Sequence, residues 1–182
     1  MRQTLLALLL CLMIASHPAA AHPHLFINAG VGLVFTGNEV AGIHVRWKWD
    51  EWWSEEVTGG CDRDRNGKFS ASENEAVRRD FFDGARDVGY FTKVRVNGKK
   101  VAFGNAKDFR ATILSDGCVA YELTLFFKKN EAACGAIEIT FNDDTIYTAF
   151  DEEVDIIGDA TRIKRSKSEI YEDFGVRVTL DL

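Results

Sequence analysis

The stretch 25-LFINAGVGLVFTGNEVAGIHVRWKW-49 decides the fold class. Leu25 to Phe35 is apolar-rich and runs into Thr36-Gly37-Asn38-Glu39. Val40 to Trp49 then alternates, with Ile43, Val45, Trp47 and Trp49 on one face. Gly-Asn between two such runs marks a two-residue hairpin turn, since these residues tolerate the positive φ that such turns need. Pairing across that loop sets Phe26 opposite Trp49, His24 opposite Glu51 and His22 opposite Trp53. A bulge at Gly30 or Gly32 would shift this register by one residue.

The pattern changes just after the hairpin. Asp50 to Val57 reads as a helix ended by Gly59-Gly60, and Ser72 to about Arg86 reads as a second, with Ala76, Phe81 and Phe82 as its buried stripe. Strand signals return at Phe91–Val96 and Val101–Phe103, joined by Asn97-Gly98. They continue at 109–114, 118–127, 136–141 and 146–150, and Val176–Leu182 is expected to close the sheet. Thr161 to Glu169 is charged and weakly patterned, and is expected to be an exposed loop or lid. Together these predict an α+β chain: a mostly antiparallel, β-sandwich-like domain over 22–182, with one helical insertion at 50–86 between strands two and three.

Between the two helices stands 62-DRDRNGKFSASE-73. An EF-hand loop needs oxygen ligands at positions 1, 3, 5, 9 and 12, a carbonyl at 7 and glycine at 6. Asp62, Asp64 and Asn66 occupy the first three, and Gly67 the tight turn. Lys68 offers its backbone carbonyl, Ser70 ligates directly or through water, and Glu73 is the bidentate terminal ligand. Phe69 is the apolar plug at position 8. Three carboxylates around a divalent ion favour a hard cation, so Ca2+ is the expected metal. No second loop of this form exists in the sequence. An unpaired loop of this type belongs to the weak range of roughly 10⁻⁴ to 10⁻³ M, where calcium orders structure more than it switches it.

Residues 1–21 read as a secretory signal: Arg2, an apolar core from Leu5 to Ala15, and the small-residue cleavage pattern Ala19-Ala20-Ala21. Cleavage there makes His22 the new N-terminus and puts Cys61, Cys118 and Cys134 in an oxidising compartment. One disulfide and one free thiol are therefore expected, with the pairing open. His22 and His24 share a strand face, and with Glu51 they form a candidate set for nickel, cobalt, zinc or copper. Pro23 has no N–H and so blocks a chelate through a deprotonated second amide. His44 stands alone on a polar strand face.

The remaining features weigh against other functions. The chain has 182 residues, 46% hydrophobic and 27% charged, which suits one globular domain. Its net charge of −6 argues against a nucleic-acid partner. After the leader, no apolar run reaches the length of a membrane span. The acidic groups at Asp143-Asp144 and at Asp151-Glu152-Glu153 with Asp155 read as solvated faces. Trp47, Trp49, Trp52 and Trp53 read as packing at the root of the first helix, in preference to a sugar platform. No nucleophile elbow, phosphate loop or zinc-protease motif appears, so no enzymatic activity is expected.

Several stretches carry a resemblance: Ala21-His-Pro-His-Leu-Phe-Ile27, Trp47-Lys-Trp-Asp-Glu-Trp-Trp-Ser54, the 62–73 loop, Gly89 to Gly98, and Ile146-Tyr-Thr-Ala-Phe150. From His22 to about Phe150 the chain resembles the bacterial domain of unknown function 1007. That resemblance implies a periplasmic component of an uncharacterised ABC-type transport system, of a kind that occurs beside nickel/cobalt-type exporters and other metal transporters. The expected function is then a periplasmic calcium-binding accessory or substrate-binding protein for transition-metal transport, with a membrane metal transporter as partner. The alternatives are a calcium-dependent protein-interaction module and an oxidative copper enzyme built on the N-terminal histidine.

Overall fold

The structure, a computed structural model, describes residues 23–128, 135–172 and 174–182. The leader, His22 and Cys134 lie outside the described residues. The hairpin forms as β1 (Leu25–Thr36) and β2 (Glu39–Trp49), turning at Gly37-Asn38. Two helices follow, α1 (Glu51–Cys61) and α2 (Ala71–Val77). The remaining strands are β3 (Thr92–Val96), β4 (Lys99–Val101), β5 (Lys107–Ile113), β6 (Val119–Phe126), β7 (Ala136–Phe141), β8 (Thr148–Phe150), β9 (Asp155–Ile156), β10 (Arg165–Tyr171) and β11 (Gly175–Asp181).

The fold is α+β with two sheets. One runs β5-β6-β2-β1-β8, with β9 also paired to β1; the other runs β10-β11-β7-β3-β4. β8 and β9 lie parallel to β1, and the other pairs are antiparallel. Alternate residues of both sheets enter one apolar core: Ile27, Val45 and Leu123 from the first, Ile139, Val178 and Leu180 from the second. The period-2 pattern of each strand therefore fixes which side chains meet.

The expected hairpin register holds only next to the turn. Thr36 pairs with Glu39 and Phe35 with Val40, but Val34 pairs with Gly42, so Ala41 is an extra residue. Beyond this bulge Ile27, not Phe26, faces Trp49. The shift comes from neither Gly30 nor Gly32. The bulge lets Val40 and Ile43, three apart, both be fully buried. The ladder ends before His24, whose backbone N–H instead donates to the Tyr147 carbonyl at 2.9 Å. The expected pairing of His24 with Glu51 is corrected accordingly, and His22, expected opposite Trp53, lies outside the described residues.

Gly59-Gly60 does not end the first helix, which continues to Cys61. Gly60 serves close packing instead: a Cβ there would lie 3.3 Å from the Phe81 ring. The second helix is regular only to Val77. It then widens into a π-helical turn, Arg78–Phe82, followed by a 3-10 segment, Asp83–Phe91. The π turn rotates Phe82 onto Phe109, with ring centroids 4.2 Å apart, and toward Trp47 at 6.1 Å.

Two further expectations are overturned. Arg165–Tyr171 is a strand, not a loop or lid, and β11 lies inside the sheet with β10 as its edge. An edge strand exposed along most of its length needs no apolar alternation, because backbone pairing with β11 holds it. Cys61 and Cys118 are both buried free thiols, so neither takes part in the expected disulfide. Burial, and then the carboxylates of Asp80 and Asp116 respectively, push both thiols up in pKa and keep them protonated. Alkylation of the native, unreduced protein should leave both untouched, and the same treatment in denaturant should modify both. Protection of either one in denaturant would show that a disulfide forms.

Candidate functional site

The loop 62–73 is held at both ends by its own helices. Asp62 ends α1, its N–H donating to the Thr58 carbonyl at 2.9 Å. Ser70 begins α2 as a capping box: its hydroxyl accepts from the Glu73 N–H, and the Glu73 carboxylate accepts from the Ser70 N–H at 2.9 Å. The spacing Ser-x-x-Glu carried that signal in the sequence. Between the caps, the backbone turns its donors inward. The Asn66 N–H reaches Asp62 and Asp64, each at 3.2 Å, and the Gly67 N–H reaches Asp62 Oδ2 at 3.0 Å. Gly67 has φ +74°, a conformation that a side chain would oppose.

These contacts draw like charges together. Asp62, Asp64 and Glu73 each present a carboxylate oxygen, and these atoms lie within 4.8 Å of one another. Glu73 is buried, while Asp62 is half-buried and Asp64 exposed. Glu73 Oε1 accepts from the Arg63 N–H at 2.8 Å, and Oε2 accepts from the Ser70 hydroxyl at 2.7 Å. The backbone N–H and hydroxyl of Ser70, then the Arg63 N–H, hold the Glu73 carboxyl below its usual pKa. Glu73 therefore keeps its charge. Asn66 turns its side-chain NH2 to Asp64 Oδ2 at 2.7 Å, so a half-turn of that amide would present its oxygen instead. Lys68 is exposed, and Phe69 packs half-buried against the core, as a position-8 plug should.

The helices are tied to the sheets by contacts that sequence reading missed. Asp50 caps α1 through the Trp53 N–H at 2.8 Å and also accepts from the Phe26 N–H at 2.6 Å. Buried Ser54 takes the Val119 N–H at 2.8 Å. Asn74 grips β5 with both ends of its amide, donating to the Ala111 carbonyl at 2.7 Å and accepting the Ala111 N–H at 2.9 Å. Asp50 was legible as a cap from its place before a helix. Nothing local marks Ser54 or Asn74, whose partners lie 65 and 37 residues away.

The histidine candidates are arranged differently. His24 is exposed and its ring lies tilted beside that of Tyr147, centroids 5.0 Å apart; Glu51 is exposed in the first turn of α1. Among the described residues, neither belongs to a group of three or more potential metal ligands, and His22 lies outside those residues. His44 lies 3.4 Å from the Thr124 hydroxyl on the outer face of the first sheet. Asp143 is no solvated acid: it is 7% exposed and accepts from the Thr145 N–H, the Thr145 hydroxyl and the Thr148 N–H. Asp144 pairs with Lys93 at 2.8 Å and Asp155 with Arg46 at 3.0 Å.

Fold and site thus define an α+β chain whose helix–loop–helix, between β2 and β3, concentrates three carboxylates. The sequence matches, over residues 7–167, the family described as "Protein of unknown function (DUF1007)", and the chain belongs to that family. It is also 30% identical, over 87 residues, to an uncharacterized 15.5 kDa protein in the trpE 3′ region of Spirochaeta aurantia. The match covers 48% of this chain and 61% of that protein, so the chain spans less than two thirds of that relative's length. Among the described residues, no helix is long and apolar enough to cross a membrane.

Proposed function

We propose that this chain is an exported calcium-binding accessory protein for transition-metal transport, with calcium held by 62–73 as an EF-hand-type insertion on a β-sandwich scaffold. The observation that carries the calcium reading is the 4.8 Å grouping of Asp62, Asp64 and Glu73 on one glycine-turned loop. Two oxygens that share one calcium ion at about 2.4 Å each stand at most about 4.8 Å apart, so this grouping fits a single ion. Asp62, Asp64, Asn66 and Glu73 would supply side-chain oxygens, Lys68 its carbonyl, and Ser70 its hydroxyl or a water.

Calcium would offset two of the three clustered negative charges and lock α1 to α2. The helices are already anchored to the sheets by Asp50, Ser54 and Asn74, which supports an ordering role over a switching one. Export and the transport context rest on the leader-like residues 1–21 and on the resemblance noted above. A membrane metal transporter is the partner this reading assigns. In it, nickel, cobalt, zinc or copper would engage the N-terminal His22 and His24 with Glu51.

The expected result is calcium-specific stabilisation. With an affinity of about 10⁻⁴ to 10⁻³ M, 10 mM calcium (about 10 to 100 times Kd) stabilises the native state by about 1.4–2.7 kcal/mol. That raises Tm by roughly 3–10 °C for a chain of this size. Thermal unfolding in calcium, in magnesium and in chelator measures it. Identical Tm values in all three would overturn the calcium reading.

A further inference from the structure

We propose that the free edge of β10 pairs with β10 of a second copy of this chain, antiparallel and centred on Ser168, so that a twofold axis joins two five-stranded sheets. The inference rests on neither the calcium loop nor the family. An edge strand presents a row of backbone N–H and C=O groups that another strand can take up.

The described sheet edges differ in how open they are. β4 and β8 have three residues each. β5 is longer, but its register breaks between Lys107 and Arg110, and Asn74 of α2 takes up the Ala111 N–H and carbonyl. β10 runs for seven residues and pairs with β11 from Arg165 to Tyr171 without a register shift. Among the described residues, no backbone hydrogen bond from outside that ladder reaches Arg165–Tyr171.

The strand is complementary to itself in one register. Ser166, Ser168 and Ile170 pair with the buried Leu180, Val178 and Val176 and share their face; Arg165, Lys167, Glu169 and Tyr171 share the other. Centring on Ser168 sets Lys167 opposite Glu169 of the second copy, and Arg165 opposite its Tyr171 ring, each contact made twice by symmetry. Opposite charges across a strand pair attract, and an aromatic face holds a guanidinium. Moving the centre one residue either way sets Lys167 against Lys167 or Glu169 against Glu169, which is unfavourable. A lysine on an edge ordinarily discourages pairing; here Glu169 offsets it in a single register. The Lys167 and Glu169 side chains are 71% and 43% exposed, and their 3.1 Å contact lies within one strand. Glu169 also meets Arg177 at 3.6 Å, and its remaining lone pairs leave room for a second lysine. Ile170, 59% exposed, gains cover from Ser166 of the second copy.

Sedimentation equilibrium of the purified protein, from about 10 µM to about 1 mM, measures the pairing. The native chain is expected to dimerise reversibly within that range, as suits an interface built on one strand edge. Lys167→Glu sets Glu opposite Glu169, and Glu169→Lys sets Lys opposite Lys167. Each variant should keep the native circular dichroism and self-associate at least about tenfold more weakly. Mixed in equal amounts, the two variants are complementary again, because the glutamates of one face the lysines of the other. The mixture should therefore dimerise about as tightly as the native chain. The double exchange Lys167→Glu with Glu169→Lys, complementary to itself, should do the same and keeps the test decisive if a single variant fails to fold. A native chain that stays monomeric up to about 1 mM, single variants that dimerise like the native chain, or a mixture or double exchange that does not recover association would overturn the proposal.

Discussion

Replacing Glu73 by glutamine is expected to weaken calcium binding at least about tenfold, because it removes a charge and a bidentate ligand from the one side chain that closes the loop. Asp62→Ala should do the same from the other end, since Asp62 both offers the first ligand and orders the Gly67 and Asn66 amides. Isothermal titration of the two variants beside the native chain measures the effect. The sheets should be unaffected, because Glu73 bonds only within the loop while Asn74 carries the contact to β5. Unchanged calcium affinity in both variants would remove the ligand assignment.

Trp47→Ala should have the largest effect on stability. Trp47 is fully buried and its ring lies 6.3 Å from Trp49, 6.1 Å from Phe82 and 5.6 Å from Phe91. It therefore joins β2, the helical segment and the residue that leads into β3. Truncating such a side chain leaves a cavity that rigid strands do not fill, at a cost of about 3–5 kcal/mol. Against a total of about 5–15 kcal/mol for an ordinary domain, urea unfolding should show a large fall in midpoint. A loss below about 1 kcal/mol would mean that the aromatic cluster is not the keystone of this packing.

What was legible in the sequence was what is local. The Gly37-Asn38 turn, the alternation of β2, the place of the helices between β2 and β3, and the ligand spacing of 62–73 each depend on neighbours a few residues apart. The bulge at Ala41 also left a trace, since Val40 breaks the odd-numbered apolar phase of Ile43, Val45, Trp47 and Trp49. That phase break was a better guide to register than Gly30 or Gly32. Features set by distant partners were not legible. β10 is charged because it is an exposed edge, so its composition imitates a loop. Gly59-Gly60 imitates a helix stop, yet Phe81 from the next element needs the space above Gly60. Cys61 and Cys118 imitate a disulfide count, while each is buried without a bonded partner.

The most direct test of the calcium site is the Gly67 amide, followed by NMR during a calcium titration. Its N–H donates to Asp62 Oδ2 at 3.0 Å, so an ion on that carboxylate must alter the proton it holds. The Gly67 and Asn66 amides are predicted to move together and saturate with a midpoint of about 0.1–1 mM. Amides of β7 and β11 should stay in place. Gly67 and Asn66 signals that remain fixed up to about 10 mM calcium, in a chain that is otherwise folded, would contradict the account and leave 62–73 as an acidic turn.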